Sequence, residues 1–139
     1  NNLTCYVKDC ICNEAGIMAN TGLILNKLTQ YSIDECVIEA NGVGLASVIS
    51  LKEKIKGNTR LIPFTSSEPK EVRILSNYEF IQSHFVFDSN YKENPQYKQF
   101  IADWTSYYIK GDNNHKKDAI DVLSSAAKVL KAKFKSIIY

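Results

Sequence analysis

Apolar and polar residues alternate along the chain with two different spacings, which predict short strands and longer helices in turn. Residues 3–12 are rich in β-formers and predict a strand, and short segments with apolar residues predict further strands over residues 35–40, 60–64 and 85–87. Apolar residues spaced three and four apart predict helices over residues 21–31, 43–56, 69–82, 95–110 and 117–135. Strands that alternate with helices predict an α/β fold in which helices flank a mixed sheet.

The helical spacing also predicts which side chains face the core. The predicted buried sets are Leu45, Val48, Ile49, Leu51 and Ile55 in the second helix, Val72, Leu75 and Phe80 or Ile81 in the third, and Ala119, Val122, Leu123, Ala126, Ala127, Val129 and Leu130 in the last. The fourth helix carries an aromatic stripe formed by Tyr97, Phe100, Trp104, Tyr107 and Tyr108. Such a stripe could stack nucleic-acid bases, but core packing is the preferred interpretation.

Length and charge limit the organisation of the chain. With 139 residues, 45% of them hydrophobic, it is long enough for one compact domain over residues 1–139 and too short for two. The formal net charge of +2 does not by itself indicate nucleic-acid binding. The last part is nevertheless basic around an acidic centre, with Lys110, Lys116, Lys117, Lys128, Lys131, Lys133 and Lys135 against Asp112, Asp118 and Asp121. That distribution is expected where a phosphate backbone approaches metal-binding carboxylates, and a solvated lysine-rich helix face explains it equally well.

The cysteines and the hydropathy pattern bear on the compartment. Cys5, Cys10, Cys12 and Cys36 form no C-x-x-C pair, which predicts free thiols in a reducing environment rather than a zinc site. No apolar run is long enough to span a bilayer, and the first residues lack a signal-peptide pattern. These features predict a soluble, cytoplasmic protein that does not bind a membrane.

The candidate chemistry centres on residues 113–123, which read N-N-H-K-K-D-A-I-D-V-L. His115, Asp118 and Asp121 are spaced three apart, so on a helix their side chains lie on one face. Carboxylates and a neutral imidazole are ligands that Mg²⁺ or Mn²⁺ accepts, and a helix N-terminus tolerates their negative charge. Aspartate near a helix start is also ordinary capping, so this pattern alone leaves both interpretations open.

A second acid lies elsewhere in the chain, in the segment E-C-V-I-E-A-N-G-V-G. Glu39 ends a predicted strand just before an Asn41-Gly42 turn and a helix, which is where α/β proteins commonly place functional side chains. We expect Glu39 to share a metal with the acids of the last helix. Asn41 could bridge a metal-bound water, although a role in the turn is the preferred interpretation.

Four segments, taken in order, resemble the nuclease domain of bacteriophage terminase large subunits, which belongs to the ribonuclease H-like superfamily. They are I-E-A-N-G-V-G at residues 38–44, K-E-V-R-I-L at 70–75, F-V-F at 85–87 and H-K-K-D-A-I-D-V-L at 115–123. The family shows an E-x-N-x-x-G element, a K-x-x-R-I helix and a closing H-D-D-x-x-D-A-L type segment at similar spacing. No single motif is decisive, and the likeness rests on the order of all of them.

The resemblance implies a metal-dependent endonuclease that cuts concatemeric double-stranded DNA by a two-metal mechanism with Mg²⁺ or Mn²⁺. Glu39, Asp118 and Asp121 would be catalytic, and Glu39, Asp118 and His115 would ligate metal. The basic side chains implied to bind DNA are Lys116, Lys117, Lys70 and Arg73, of which the last two are expected near the exposed N-terminal end of the third helix. The implied partners are an ATPase domain, a portal ring and a small terminase subunit, in the host cytoplasm and transiently at the procapsid portal.

Two departures from the family pattern qualify these expectations. Lys116 or Lys117 replaces an acid of the family's H-D-D segment, which makes the cluster less negative. The family's first catalytic Asp precedes the strand that residues 3–12 match, and Asp9 fits a second-strand acid that does not ligate metal. The resemblance therefore implies that a longer polypeptide or a partner chain supplies the first strand. The alternatives are a non-catalytic module that docks on DNA or a portal, and a junction resolvase or transposase relative.

Overall fold

The computed structural model describes residues 3–42, 44–110 and 118–138, and it confirms a mixed α/β fold. The elements in chain order are β1 (Cys5–Val7), α1 (Thr21–Gln30), β2 (Glu35–Glu39), α2 (Gly44–Lys54), β3 (Arg60–Phe64), α3 (Lys70–His84), β4 (Phe85–Phe87), a 3₁₀ turn (Tyr91–Glu93), α4 (Pro95–Lys110) and α5 (Asp118–Ile138). All of the predicted strands and helices are present at or near their predicted positions.

The first strand is much shorter than predicted, because its second half leaves the extended conformation. Asp9 lies beyond β1, where its carboxylate accepts hydrogen bonds from the backbone N–H of Cys10 at 2.8 Å and from the side-chain amide of Asn94 at 3.0 Å. Local hydrogen bonds of this kind compete with a sheet ladder. The prediction that Asp9 lies within a strand is therefore wrong.

The described strands form two parallel pairs. β1 pairs with β4, with Tyr6 opposite Val86, and β2 pairs with β3, with Val37 opposite Ile62. Parallel neighbours require a crossover connection, and helices lie between the partners along the chain in both pairs. The chain forms two compact units, residues 14–67 with β2 and β3, and residues 1–13 together with 68–139 with β1 and β4.

The core of the second of these units is built from α3, α4 and α5. Tyr97 and Phe100 of α4 are 2% and 4% exposed and pack with Ile81, Leu123 and Ala127. The Tyr97 hydroxyl donates to the carbonyl of Val7 and accepts from the backbone N–H of Asp88, which ties the ends of β1 and β4 together. The core interpretation of the aromatic stripe is confirmed for these two rings.

The buried face of α3 differs from the predicted one. Val72 and Leu75 are 48% and 77% exposed, whereas Arg73, Ile74, Asn77 and Ile81 are buried. The apolar pattern misled because the inward face of this helix carries two polar side chains that find partners inside. The Asn77 amide donates to the carbonyl of Arg73 at 2.7 Å.

Similar departures occur in α2 and α5. Leu45 and Ile49 of α2 are 54% and 53% exposed, while Ser47 is buried beside Val48 and Leu51. In α5, Val122 is 59% exposed and Ser124 is buried, with its hydroxyl bonded to the Ile120 carbonyl at 2.8 Å. Ser124 thus satisfies its hydroxyl within its own helix and takes an inward position that the apolar pattern does not predict.

The four cysteines, all within the described residues, form no disulfide and are half-buried. Burial raises the pKa of the Cys5 and Cys36 thiols, which disfavours the reactive thiolate at neutral pH. Within residues 3–42, 44–110 and 118–138, no helix combines the length and apolar character needed to cross a bilayer.

Candidate metal centre

Two acids of α5 meet two bases of α3 where these helices pack together. Asp118 and Asp121 are one turn apart at the start of α5, and Lys70 and Arg73 are one turn apart at the start of α3. Residues three apart lie on the same helix face, so each pair presents both charges to the other helix. The result is a cluster of two carboxylates, one ammonium and one guanidinium.

Arg73 and Asp121 form the buried half of the cluster. Their side chains are 2% and 10% exposed, and the Arg73 Nε and one terminal nitrogen donate to Asp121 Oδ1 at 2.8 and 2.6 Å. Charge-assisted hydrogen bonds of this length are strong, and they fix the orientation of the carboxylate. Removing water from either group would be costly without the other, which explains why the pair occurs together.

Lys70 forms the exposed half. Its ammonium lies 3.2 Å from Asp118 Oδ1 and 3.5 Å from Asp121 Oδ2, and the Lys70 and Asp118 side chains are 48% and 92% exposed. Partial burial lowers the pKa of Lys70, but the hydrogen bond to Asp118 and the charges of both aspartates outweigh it. The net effect raises its pKa above 10.5. Lys70 is therefore protonated at physiological pH.

This arrangement has a direct chemical consequence. A single cationic group is shared between two carboxylates from successive turns of α5, so the α5 face already stabilises positive charge at that point. A divalent cation prefers the same oxygen ligands, and it would have to displace the Lys70 ammonium to reach both. The two carboxylates supply oxygen ligands of the kind a hard cation accepts, and Lys70 already interacts with both of them.

Glu39 lies in the other compact unit, at the carboxyl end of β2. Its carboxylate accepts a hydrogen bond from the Asn41 amide at 2.8 Å, and the same amide donates to the carbonyl of Ser66 at 3.1 Å. Since Ser66 follows β3, Asn41 joins the ends of both strands and orients Glu39 between them. The preferred interpretation of Asn41 as a turn residue is supported by the bond from the Gly44 N–H to its carbonyl at 3.0 Å.

A close backbone contact positions the same loop. A Cβ atom on Gly44 would lie only 2.5 Å from the carbonyl oxygen of Glu39, so the start of α2 can approach the strand end only because residue 44 is glycine. Gly42 adopts a φ of +53°, which glycine also tolerates best. The two glycines therefore set the path of the loop, and the Asn41 amide contacts the Glu39 carboxylate at its start.

The structure places the predicted site residues in three groups. Asp118, Asp121, Lys70 and Arg73 come together in one cluster, Glu39 lies in the other unit, and His115, Lys116 and Lys117 lie outside the described residues. The expectation that Arg73 is exposed at the helix N-terminus is wrong, because its guanidinium is buried on Asp121.

Sequence reasoning missed the pairing of the two helices. The signal was present, since Lys70 and Arg73 share the spacing of Asp118 and Asp121 with opposite charge. It also missed the contact between Asn41 and Glu39, although the E-x-N-G order placed both at one strand end.

The described residues contain no group of three or more His, Cys, Asp or Glu side chains arranged to hold a metal ion. No protein-family model matches the chain, and no curated protein or solved structure matches it. The terminase resemblance therefore stays a prediction that depends on the four sequence segments.

Proposed function

We propose that this chain is a ribonuclease H-like nuclease domain of a phage DNA-packaging terminase that hydrolyses double-stranded DNA with Mg²⁺ or Mn²⁺. The observation that carries the proposal is the Lys70 ammonium shared by Asp118 and Asp121, because it marks a point where two carboxylates stabilise one cation. Parallel strand pairs connected through helices are compatible with this fold.

Each side chain has a distinct role in the proposed reaction. Asp118 is the exposed ligand and Asp121 is held rigid by Arg73, while Glu39 and His115 stay ligands predicted from the sequence. When bound, the two metal ions would activate a water molecule and stabilise the leaving 3′ oxygen. Lys70 keeps Asp118 and Asp121 from repelling each other before the metal arrives.

The proposed substrate follows from the reaction itself, because two-metal hydrolysis acts on the phosphodiester group and needs no contact with the bases. Cleavage would act on the phosphodiester backbone of concatemeric DNA, largely independent of sequence. An ATPase domain, the portal ring and a small terminase subunit would deliver the DNA in the cytoplasm of the host and at the procapsid portal.

The decisive experiment measures Mn²⁺ binding and plasmid cleavage on the same variants of the full chain. Asp118→Asn and Glu39→Gln should each abolish cleavage, and Asp118→Asn should weaken Mn²⁺ binding measured by calorimetry. Asp34→Asn and Glu53→Gln are matched controls, because these acids lie outside the proposed site, and both should keep wild-type behaviour. Undiminished cleavage by Asp118→Asn, or full activity in a chelator, would contradict the proposal.

A second candidate is a non-catalytic DNA-docking module. It is favoured by the neutralisation of both aspartates by Lys70 and Arg73, which leaves this part of α5 without net negative charge. Wild-type protein that binds duplex DNA, fails to cleave it in Mn²⁺ and still binds it as Asp118→Asn would support this function instead.

A further inference from the structure

A groove between α3 and the second half of α5 collects lysines that the proposed catalytic centre does not use. It has a volume of about 300 Å³ and is lined by Glu68, Ser76, Asn77, Lys128, Lys131, Ala132 and Lys135. The lysines lie at positions i, i+3 and i+7 of one helix, so they form a row along a single face. We call the groove that contains this row the lysine groove.

The positions of the three ammonium groups are constrained to different degrees. Lys131 donates to the Ser76 carbonyl at 2.9 Å and lies 5.7 Å from the centre of the Phe80 ring, so its ammonium is held in place by two contacts. Lys128 lies 3.2 Å from Glu68, and its side chain is 58% exposed. Lys135 is exposed. Three positive charges against one carboxylate leave the groove basic.

We infer that the lysine groove binds the phosphate backbone of one strand of duplex DNA. Seven residues of helix span about 10 Å, so the three ammonium groups are close enough together to contact neighbouring phosphates of one DNA strand. The lining contains no large apolar side chain among its main contributors, which disfavours a peptide that needs a hydrophobic anchor. The identity of the polymer rests on the proposed function, whereas the location of the site does not.

Salt-dependent binding of the full chain tests this inference. A fluorescent duplex is titrated with protein in a chelator, so that no cleavage occurs, at several salt concentrations. The triple change Lys128→Gln, Lys131→Gln and Lys135→Gln should weaken binding by about tenfold or more. It should also make the dependence of log K on log salt shallower by about 2 to 3, since each phosphate contact contributes about 0.9.

Two matched triple variants make the result specific. Lys52→Gln, Lys54→Gln and Lys56→Gln remove the same charge from exposed positions of the other unit and should leave the salt slope unchanged. Replacing the three groove lysines by arginine should retain the slope, because the charge is kept. Thermal melting of each variant shows whether the loss of the bond between Lys131 and Ser76 has disturbed the fold.

Each outcome decides the matter. If both glutamine triples weaken DNA binding equally, only the net charge of the protein matters and the groove is not a specific site. If the groove triple does not weaken DNA binding, the inference is wrong. Displacement of the duplex by poly-glutamate at equal charge concentration would point to an acidic peptide as the partner. That result would also overturn the inference that the groove binds DNA. If the groove triple weakens DNA binding but the wild-type protein does not cleave DNA in Mn²⁺, only the nuclease proposal is contradicted. If the groove triple binds and cleaves DNA as well as the wild-type protein, only the groove inference is contradicted.

Discussion

Asp121 and Glu39 are held in place by different kinds of contact. In α5, Asp121 is fixed by the buried charge of Arg73, and its orientation depends on an ion pair with side chains 2% and 10% exposed. At the end of β2, Glu39 is oriented by the neutral amide of Asn41 and by the close approach of Gly44 to its backbone. Charge determines one position, and backbone sterics determine the other.

This difference separates structural from chemical roles. An acid whose charge is already neutralised inside the protein mainly stabilises the packing of two helices, and it can ligate a metal only through its remaining oxygen. The contact between Glu39 and the neutral Asn41 amide, by contrast, orients the carboxylate without an opposite charge. Asp118 is intermediate, since it is 92% exposed and shares Lys70 with Asp121.

The largest effect is expected from breaking the buried pair. Asp121→Ala should lower the free energy of unfolding by about 3 to 5 kcal/mol, because it removes the carboxylate that compensates the buried Arg73 charge. The double change Arg73→Met with Asp121→Leu should recover most of this loss, since apolar side chains replace both charges. Urea denaturation of the wild-type protein, Asp121→Ala and the double variant measures these free energies of unfolding. An Asp121→Ala protein as stable as wild type would mean that the pair does not stabilise the α3–α5 interface.

The corresponding test at β2 changes the backbone contact. Gly44→Ala should destabilise the protein by about 1 to 3 kcal/mol, since its Cβ would lie 2.5 Å from the Glu39 carbonyl and one of the two must move. Gly22→Ala is the control in α1, where a Cβ meets nothing within 4 Å, and it should stabilise by roughly 0.5 kcal/mol through helix propensity. Equal effects of the two substitutions would show that the close approach does not restrict residue 44.

The next prediction concerns Lys70, in the exposed half of the α3–α5 cluster, and its removal should strengthen metal binding. Lys70→Met removes the cation that competes for Asp118 and Asp121, so Mn²⁺ binding measured by calorimetry should tighten by about tenfold. Lys52→Met, at an exposed position of α2, should leave the affinity unchanged. Weaker Mn²⁺ binding by Lys70→Met would show that the ammonium does not occupy the position of a metal.

The positions of the elements could be predicted from the sequence because local patterns determine them. β3 ends at Phe64, where its short apolar run gives way to polar residues, and α4 begins at Pro95 after Asn94, whose side chain caps it by accepting from the N–H of Gln96 at 3.1 Å. The boundaries of β1 could not be predicted, since they depend on the tertiary bond from Asn94 to Asp9.

The candidate site was less predictable for the same reason. The pattern in the last helix indicated that Asp118 and Asp121 share a face, but nothing local to α5 indicates that Arg73 lies opposite. Arg73 was expected at the surface because arginine is rarely buried without a partner, and its partner lies 48 residues away. Long-range charge pairing is the information that a single sequence hides.

The smallest predicted effect concerns pH and the stability that Lys70 contributes. The pKa of Lys70 is raised in the folded protein, so its contribution is complete below the ordinary value of 10.5 and is lost as pH rises through the folded value. Because the Lys70 side chain is 48% exposed, solvent screening limits this contribution to about 1 kcal/mol or less. The difference in unfolding free energy between wild type and Lys70→Met should therefore be constant from neutral pH to about 10 and shrink above it. Lys52→Met is the control for the general effect of alkaline pH on stability. If the difference in unfolding free energy between wild type and Lys70→Met disappears already near neutral pH, the Lys70 ammonium does not bridge the two aspartates.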